Sequence, residues 1–171
     1  MDTAIISLLC IALVVFGGMT MAQGFITSVD ASTSGLEEIG QRDEQILRTE
    51  LTPLDAAMGS NDTLELIVEN TGQTKLSDFD QWDIIIQYYD GASTYHIEWL
   101  PFADGSPGNG EWAVSWIRVN GSTELFEQGI LNPGEQIMLT IKLDPAVGPG
   151  TTNLAVVSTP SGITASIYFS P

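Results

Sequence analysis

The pattern of apolar and polar positions divides the chain into two regions with different periods. Residues 3–29 contain no charged side chain, and the first positive residue is Arg42. As a helix, this stretch would be about 40 Å long, more than the roughly 30 Å hydrocarbon core of a bilayer. Beyond it, apolar residues recur every three to four positions as far as Leu51. This spacing predicts that the helix continues with an amphipathic surface.

Proline and glycine positions predict where this helix ends and bends. We expect it to end just before Pro53, because a proline disfavours helical geometry in the preceding residue. Gly35 and Gly40 predict a soft break near the middle. The adjacent Gly17 and Gly18 lower helix propensity but allow helix backbones to approach closely, which favours packing of helix against helix.

From Thr63 onward the period changes to an alternation of apolar and polar residues, which is typical of β-strands. Asn, Gly, Pro and Asp turns separate seven or eight such runs, which predict an antiparallel immunoglobulin-like β-sandwich. The runs expected as strands are 63–70, 83–90, 93–100, 111–119, 136–143, 151–159 and 163–170. The predicted fold class is therefore α+β. Its parts are an assembly helix over 1–52, a linker over 53–62 and a sandwich over 63–171.

Net charge restricts the kind of partner. The chain carries −17, from 22 Asp and Glu against 5 Lys and Arg. This balance excludes a nucleic-acid-binding protein, because phosphates require Lys and Arg. It also argues against docking by charge on an anionic membrane surface. The partner expected for the N-terminal segment is therefore apolar, either a bilayer or the matching helices of other copies.

The N-terminal segment is expected to stay in the mature protein. A cleaved secretory signal has a basic start and a short apolar core, whereas this segment begins with Asp2 and is longer. Removal of a leader ahead of Met1 stays open. Cys10 is the only cysteine, so an intrachain disulfide and a thiolate metal cluster are excluded. We expect it to pack as a small apolar residue.

No arrangement of nucleophile, acid and base indicates an enzyme, and we expect no cofactor. The single histidine, His96, lies in a predicted strand and is interpreted as a cross-strand or interface residue. Asp78, Asp80 and Asp83 place three carboxylates in one short loop, as calcium would require. Their spacing is not that of an EF-hand, and a solvated turn explains them equally. Calcium binding there stays open.

Two sequons and three tryptophans are further candidate features. Asn61 and Asn120 begin Asn-Asp-Thr and Asn-Gly-Ser sequences at predicted turns, so both are glycosylation candidates if the domain is extracellular. An Asn-Gly pair is also ordinary turn chemistry. Trp99, Trp112 and Trp116 are expected to pack in the core or in subunit contacts rather than to form a carbohydrate platform.

This organisation resembles the archaellins, the filament subunits of the archaeal swimming organelle, within the type IV pilin-like superfamily. Residues 64–91, with their Asn-Thr-Gly turn, resemble the first strands of that family. Residues 130–143 and 156–170 are similar to its later strands. Bacterial type IV pilins usually carry Glu at the fifth mature position, where this chain has Ile5, which favours the archaellins.

The resemblance implies helices bundled in a filament core and β-domains in an outer sheath. It also implies processing by a prepilin-type peptidase, insertion into the membrane before assembly, and a final place in an extracellular filament at the cell surface. The implied partners are copies of the chain and proteins of the motor or its platform, without nucleic acid. Two alternatives stay open: a membrane-anchored immunoglobulin-like accessory or stator protein of such a motor, and an adhesive type IV pilus subunit.

The leading hypothesis is a structural filament subunit, for swimming, that polymerises by burying its N-terminal apolar surface. A charged substitution such as Leu13→Asp is expected to abolish polymers, while fragment 57–171 still folds. The residues predicted to form the assembly surface are Ile5, Ile6, Leu8, Leu9, Ile11, Leu13, Val14, Val15 and Phe16.

Overall fold

A single long helix precedes the β-domain. The computed structural model describes residues 2–171, apart from the side chains of residues 2 and 38. Helix α1 spans Asp2–Arg48. Its α-helical backbone continues through Gly35 and Gly40, so the predicted break is wrong. The chain divides into two compact units, one ending at Asp43 and the other running from Glu44 to the C-terminus.

Helix α1 ends at Arg48, ahead of the predicted end, because the backbone that follows is bonded to a turn of the β-domain. The Gln73 N–H donates to the Arg48 carbonyl at 2.7 Å, and the Gly72 N–H donates to the Glu50 carbonyl at 3.2 Å. A Cβ at Gly72 would lie 2.5 Å from the Glu50 nitrogen. Glycine is therefore required in the Asn-Thr-Gly turn for this close approach.

The predicted linker over 53–62 is wrong, because these residues form most of a strand and the turn after it. Strand β1 is Leu51–Ser60, and it pairs antiparallel with β2, Thr63–Asn70. Pro53, which suggests an irregular segment, is tolerated because β1 is an edge strand. The pairing also shifts register after Pro53 and again near Gly59, so β1 lacks a clean alternation.

Within the described residues, nine strands form two antiparallel sheets. Their orders are β1-β2-β7-β5-β6 and β4-β3-β8-β9. Each of the seven predicted runs contains a strand, and β1 and β6 are additional. The predicted α+β class, a long helix followed by an antiparallel sandwich, is confirmed. The remaining strands are β3 Asp83–Tyr89, β4 Tyr95–Leu100, β5 Glu111–Val119, β6 Ser122–Thr123, β7 Gln136–Lys142, β8 Asn153–Ser158 and β9 Thr164–Phe169.

One hydrophobic core joins the two sheets. Leu64, Leu66 and Leu139 of the five-stranded sheet are fully buried, as are Ile84 and Ile86 of the four-stranded sheet. These residues occupy alternate positions because successive side chains of a strand point to opposite faces. Each such side chain contributes about 1.5–3 kcal/mol through its burial. The β-domain therefore has a complete core of its own.

Candidate assembly surface

The nine predicted assembly residues cover all sides of the first turns of α1. A helix turns by about 100° per residue, so nearly consecutive apolar positions leave no polar face. Their exposed fractions lie between 58% and 74%. This surface is therefore apolar and uncovered within the described chain, and its role in assembly stays a prediction. The residues are Ile5, Ile6, Leu8, Leu9, Ile11, Leu13, Val14, Val15 and Phe16.

Three of the five hydroxyl groups of the uncharged segment donate within the helix. Ser7, Thr20 and Thr27 each donate to a backbone carbonyl three or four residues earlier, at 2.8–2.9 Å. Such bonds remove the need for water at the hydroxyl group. These three groups therefore have the internal partners that surroundings without water require.

Three glycines leave open space on the same segment. A Cβ placed on Gly17, Gly18 or Gly24 would meet nothing within 4 Å. Small residues allow another helix to approach the backbone closely. By length and composition alone, α1 is also sufficient to cross a membrane. Both lipid and neighbouring helices are thus physically compatible with its surface.

The second half of α1 is amphipathic, as predicted, and its apolar side chains are also exposed. Leu36, Ile39 and Leu47 are exposed by 70%, 58% and 86%. Glu44 and Arg48 form an ion pair at 3.2 Å, with the i,i+4 spacing of one helix face. The apolar stripe of this half therefore also lacks a partner within the described residues.

His96 has a structural environment in the sheet. It lies opposite Tyr88 in the pairing of β3 with β4, with the ring centroids 5.0 Å apart. Its Nε2 is 3.1 Å from Asp90 Oδ2, and its Nδ1 is 3.6 Å from Glu98 Oε1. The pKa of Asp90 is lowered because its carboxylate accepts the Thr94 N–H and contacts His96. The cross-strand interpretation of His96 agrees with this register.

The three loop carboxylates have separate local surroundings. Asp78 accepts the Ser77 hydroxyl at 2.9 Å, and Asp83 accepts the Trp99 indole N–H at 2.7 Å. Asp80 lies in the short 3-10 helix between them. Among the described residues, no three His, Cys, Asp or Glu side chains are grouped to hold a metal ion. The geometry gives the calcium hypothesis no support.

The tryptophans have different positions, although their sequence spacing is regular. Trp112 is fully buried, in an edge-to-face contact with Phe102 at 5.0 Å between centroids. An irregularity in the pairing of β5 with β7 turns Trp116 to the outer face, where the Arg118 guanidinium lies 4.0 Å from its ring centroid. Trp99 is exposed. Core packing therefore describes Trp112 alone among the three.

Both sequon asparagines are exposed at turns of the β-domain. Asn61 lies between β1 and β2. Asn120 and Gly121 have φ values of 50° and 80°, as a type I′ hairpin turn requires. Asn120 therefore has a conformational role whether or not it carries a glycan. Glycosylation of Asn61 and Asn120 stays a prediction.

A family model described as archaeal-type flagellin matches residues 3–169. The match covers α1 from Thr3 onward and every strand of the β-domain. No curated protein sequence matches the chain significantly.

Solved structures with a similar fold come from archaella. The archaeal flagellum of Methanospirillum hungatei strain JF1 aligns over 98% of this chain and 90% of its own, with TM-score 0.52 and 14% identity. Archaeal flagellin FlaB1 from Methanocaldococcus jannaschii aligns over 71% and 89%, with TM-score 0.51 and 14% identity. The archaellum periplasmic stator protein FlaG from Sulfolobus acidocaldarius aligns over 71% and 99%, with TM-score 0.52 and 20% identity. The TM-scores show a similar fold, and at these low identities the likeness extends to the fold alone.

Proposed function

Because the chain belongs to the archaeal-type flagellin family, we propose that it is a structural subunit of an archaellum filament and polymerises through α1. One observation carries the proposal: the family match includes both the β-domain and a helix whose uncharged surface is exposed on all sides. The role is structural rather than enzymatic.

Burial of the α1 surface supplies the free energy of assembly. Covering about 300 Å² of apolar surface per neighbour would contribute about 7.5 kcal/mol relative to exposure to water, at 25 cal/mol per Å². Relative to lipid, the gain comes from close packing of the helices at their small residues. The β-domains oppose this, because residues 51–171 contain fifteen acidic and three basic side chains. Helices therefore attract copies while the domains around them repel each other, and the attraction is the larger effect at the ionic strengths that screen surface charge.

The same helix gives the subunit a place before assembly. Its length and composition are sufficient to span a bilayer, so we infer that the subunit waits in the membrane and moves from lipid to helix contacts as the filament grows. The mature polymer is then extracellular. Its partners are other copies along the filament and the motor and platform proteins at the base.

The decisive variant is Leu13→Asp in the full-length protein. A carboxylate among packed apolar helices would cost several kcal/mol per subunit, so we expect electron microscopy to show no filaments. Leu125→Asp is the matched control, because Leu125 is an exposed leucine of the β-domain. Circular dichroism of both variants in detergent should show an intact β-domain. Normal filaments from Leu13→Asp would contradict the proposal.

The alternative function is an anchored accessory protein of an archaellum-type motor. The likeness to the stator protein FlaG has the same TM-score as the likeness to the Methanospirillum hungatei flagellum, so the fold alone does not separate the two roles. Electron microscopy of wild-type protein does. Long helical polymers support the filament subunit, and detergent-dependent single copies or dimers support the accessory protein. Rotation of such polymers on living cells would indicate an archaellum, and adhesion without rotation would indicate an adhesive pilus.

We also propose that Asn61 and Asn120 carry N-linked glycans in the extracellular filament, because both are exposed at turns. Intact-mass measurement of protein from its native host tests this. Asn61→Gln should remove one glycan mass. Ser122→Ala should remove the other while leaving the Asn120 turn in place. An unmodified wild-type mass would contradict this second proposal and leave the filament role untouched.

A further inference from the structure

The four-stranded sheet has an outer face of aromatic and aliphatic side chains. Strand pairing places these residues side by side, directed away from the core. Ile97, Trp99 and Tyr168 are exposed by 63%, 58% and 71%. We name this surface the aromatic face. It consists of Asp83, Ile85, Gln87, Tyr89, Tyr95, Ile97, Trp99, Leu154, Val156, Ser158, Thr164, Ser166 and Tyr168.

The aromatic face differs in charge from the outer face of the other sheet. Asp83 is the only Asp, Glu, Lys, Arg or His of this face, although the chain as a whole has a net charge of −17. The corresponding face of the five-stranded sheet has rows of charged side chains on β1, β2, β5 and β7. These are Asp55, Glu65, Glu69, Glu111, Arg118 and Lys142. Contiguous exposed apolar patches of a few hundred Å² are often functional, so this face is a candidate interaction surface.

Two polar side chains of the aromatic face donate to partners on that face. The Trp99 indole N–H donates to Asp83 at 2.7 Å, and the Tyr95 hydroxyl donates to Gln87 at 2.8 Å. Tyr95 also lies against Tyr89, with ring centroids 5.0 Å apart. The rings are thus held in place, which reduces the entropy lost on binding. Around Trp99 and Tyr95 the face is therefore suited to apolar protein contact.

We propose that the aromatic face packs against the β-domain of a neighbouring copy in the filament. This inference rests on the proposed function, which brings copies side by side. A basic partner would find only one carboxylate on this face, and that carboxylate is bonded to Trp99. Another copy, by contrast, is strongly acidic and meets the least repulsion here. The occupant is therefore a second copy of this chain.

The size of the face indicates a contact that depends on the helices. Four strands about 4.8 Å apart, with about 3.4 Å per residue along the seven residues of β3, give roughly 450 Å² in projection. Stable interfaces cover about 800 Å² per partner. The aromatic face alone is too small for a stable dimer. It adds to an assembly in which helix packing already fixes the copies near each other.

Photo-crosslinking identifies the occupant directly. In the full chain, a photoreactive benzophenone amino acid replaces Ile97. In a separate control protein it replaces Ile67. Ile67 faces outward from the five-stranded sheet. Irradiated filaments should give chain-to-chain dimers from position 97, with the linked peptide in a β-domain, and about tenfold fewer from position 67. A crosslink from position 97 to another protein or to a helix would overturn the inference, and so would the absence of any crosslink.

A pair of substitutions measures the effect on assembly. Ile97→Glu should raise the concentration of unassembled protein in equilibrium with filaments by about tenfold, because it puts a charge in an apolar contact. Ile67→Glu, the same change on the other sheet, should leave that concentration within about twofold. Circular dichroism of unassembled protein checks folding. If wild-type filaments form and Ile97→Glu assembles equally well, the aromatic-face inference fails alone. If the wild type forms no filaments, the proposed function fails as well.

Discussion

The β-domain and α1 place their apolar side chains in opposite surroundings. Leu64 and Leu139 are fully buried against residues of the same domain, whereas Leu13 of α1 is mostly exposed. The β-domain therefore has in its own sequence the contacts that stabilise it. Most helices in proteins are stabilised by packing of an apolar face, and α1 finds no such packing within the described chain.

This difference separates folding from assembly along one chain. Substitutions in the β-domain core should change its free energy of unfolding in the unassembled state. Substitutions in the uncharged segment should change polymerisation and leave that free energy unchanged.

The largest expected effect is that of Trp112→Ala. Trp112 is fully buried, and truncation of a buried aromatic side chain costs about 3–5 kcal/mol. Denaturant unfolding of detergent-solubilised protein, followed by circular dichroism, should register this loss. Leu13→Ala is the control and should leave the unfolding midpoint of the β-domain unchanged. A similar shift in both variants would show that the helix and the domain are stabilised together.

The next effect concerns the start of the β-domain. Fragment 44–171 corresponds to the compact unit and should fold as a soluble protein. Fragment 57–171, expected from the sequence to fold independently, lacks six of the ten residues of β1, the buried Leu51 among them. Leu51 alone contributes about 1.5–3 kcal/mol, and the lost β1–β2 pairing adds to this cost. Equal unfolding midpoints for the two fragments would contradict the assignment of β1 to the domain core.

A smaller loss is expected at the junction where α1 ends. Gly72→Ala would place a Cβ 2.7 Å from the Arg48 carbonyl oxygen and should cost about 1–3 kcal/mol through overpacking. The Gln73 amide, which donates to Arg48, should also exchange faster with solvent. Gly129→Ala is the matched control, because a Cβ there meets nothing within 4 Å. Equal stability of the two variants would contradict the close approach.

The smallest effect is a pH dependence at the loop after β3. The pKa of Asp90 is lowered from 3.8, first by its bond from the Thr94 N–H and then by His96. A carboxyl whose pKa is lower in the folded protein stabilises it at pH values above the ordinary pKa. That stabilisation is lost as pH falls below about 4 towards the folded pKa. The free energy of unfolding should be measured between pH 6 and 3 for the wild type and for Asp90→Asn. It should depend less steeply on pH in the variant, which lacks the Asp90 carboxyl group.

The alternation of apolar and polar residues is sufficient to predict the strands that have one buried face and one exposed face. It identified β2 and β5 with their observed bounds. It missed β1, where Pro53 and Gly59 and two register shifts remove the period. It missed β6 because two residues are too few to show a pattern. Both β1 and β6 are edge strands, and an edge tolerates irregular or very short pairing because one of its sides has no neighbouring strand.

The candidate surfaces were predictable to different degrees. The absence of charge over 3–29 identified the helix surface directly, because charge is visible in a sequence. The aromatic face was not recognised. In the run Asp83–Tyr89 apolar residues occupy both faces, so Ile85 could not be distinguished from its buried neighbours. Trp116 was unpredictable for a related reason, since an irregularity in pairing decides which face it occupies.

A spin label on Cys10 tests the central claim most directly. Cys10 is the only cysteine and is exposed within the uncharged segment, so no other substitution is needed. Packed helices lie about 8–10 Å apart, which brings labels on neighbouring copies close together. Purified full-length protein, with labelled and unlabelled copies mixed, should give filaments whose electron paramagnetic resonance spectra show dipolar broadening that increases with the labelled fraction. Spectra of isolated spins at every labelled fraction would contradict assembly through α1.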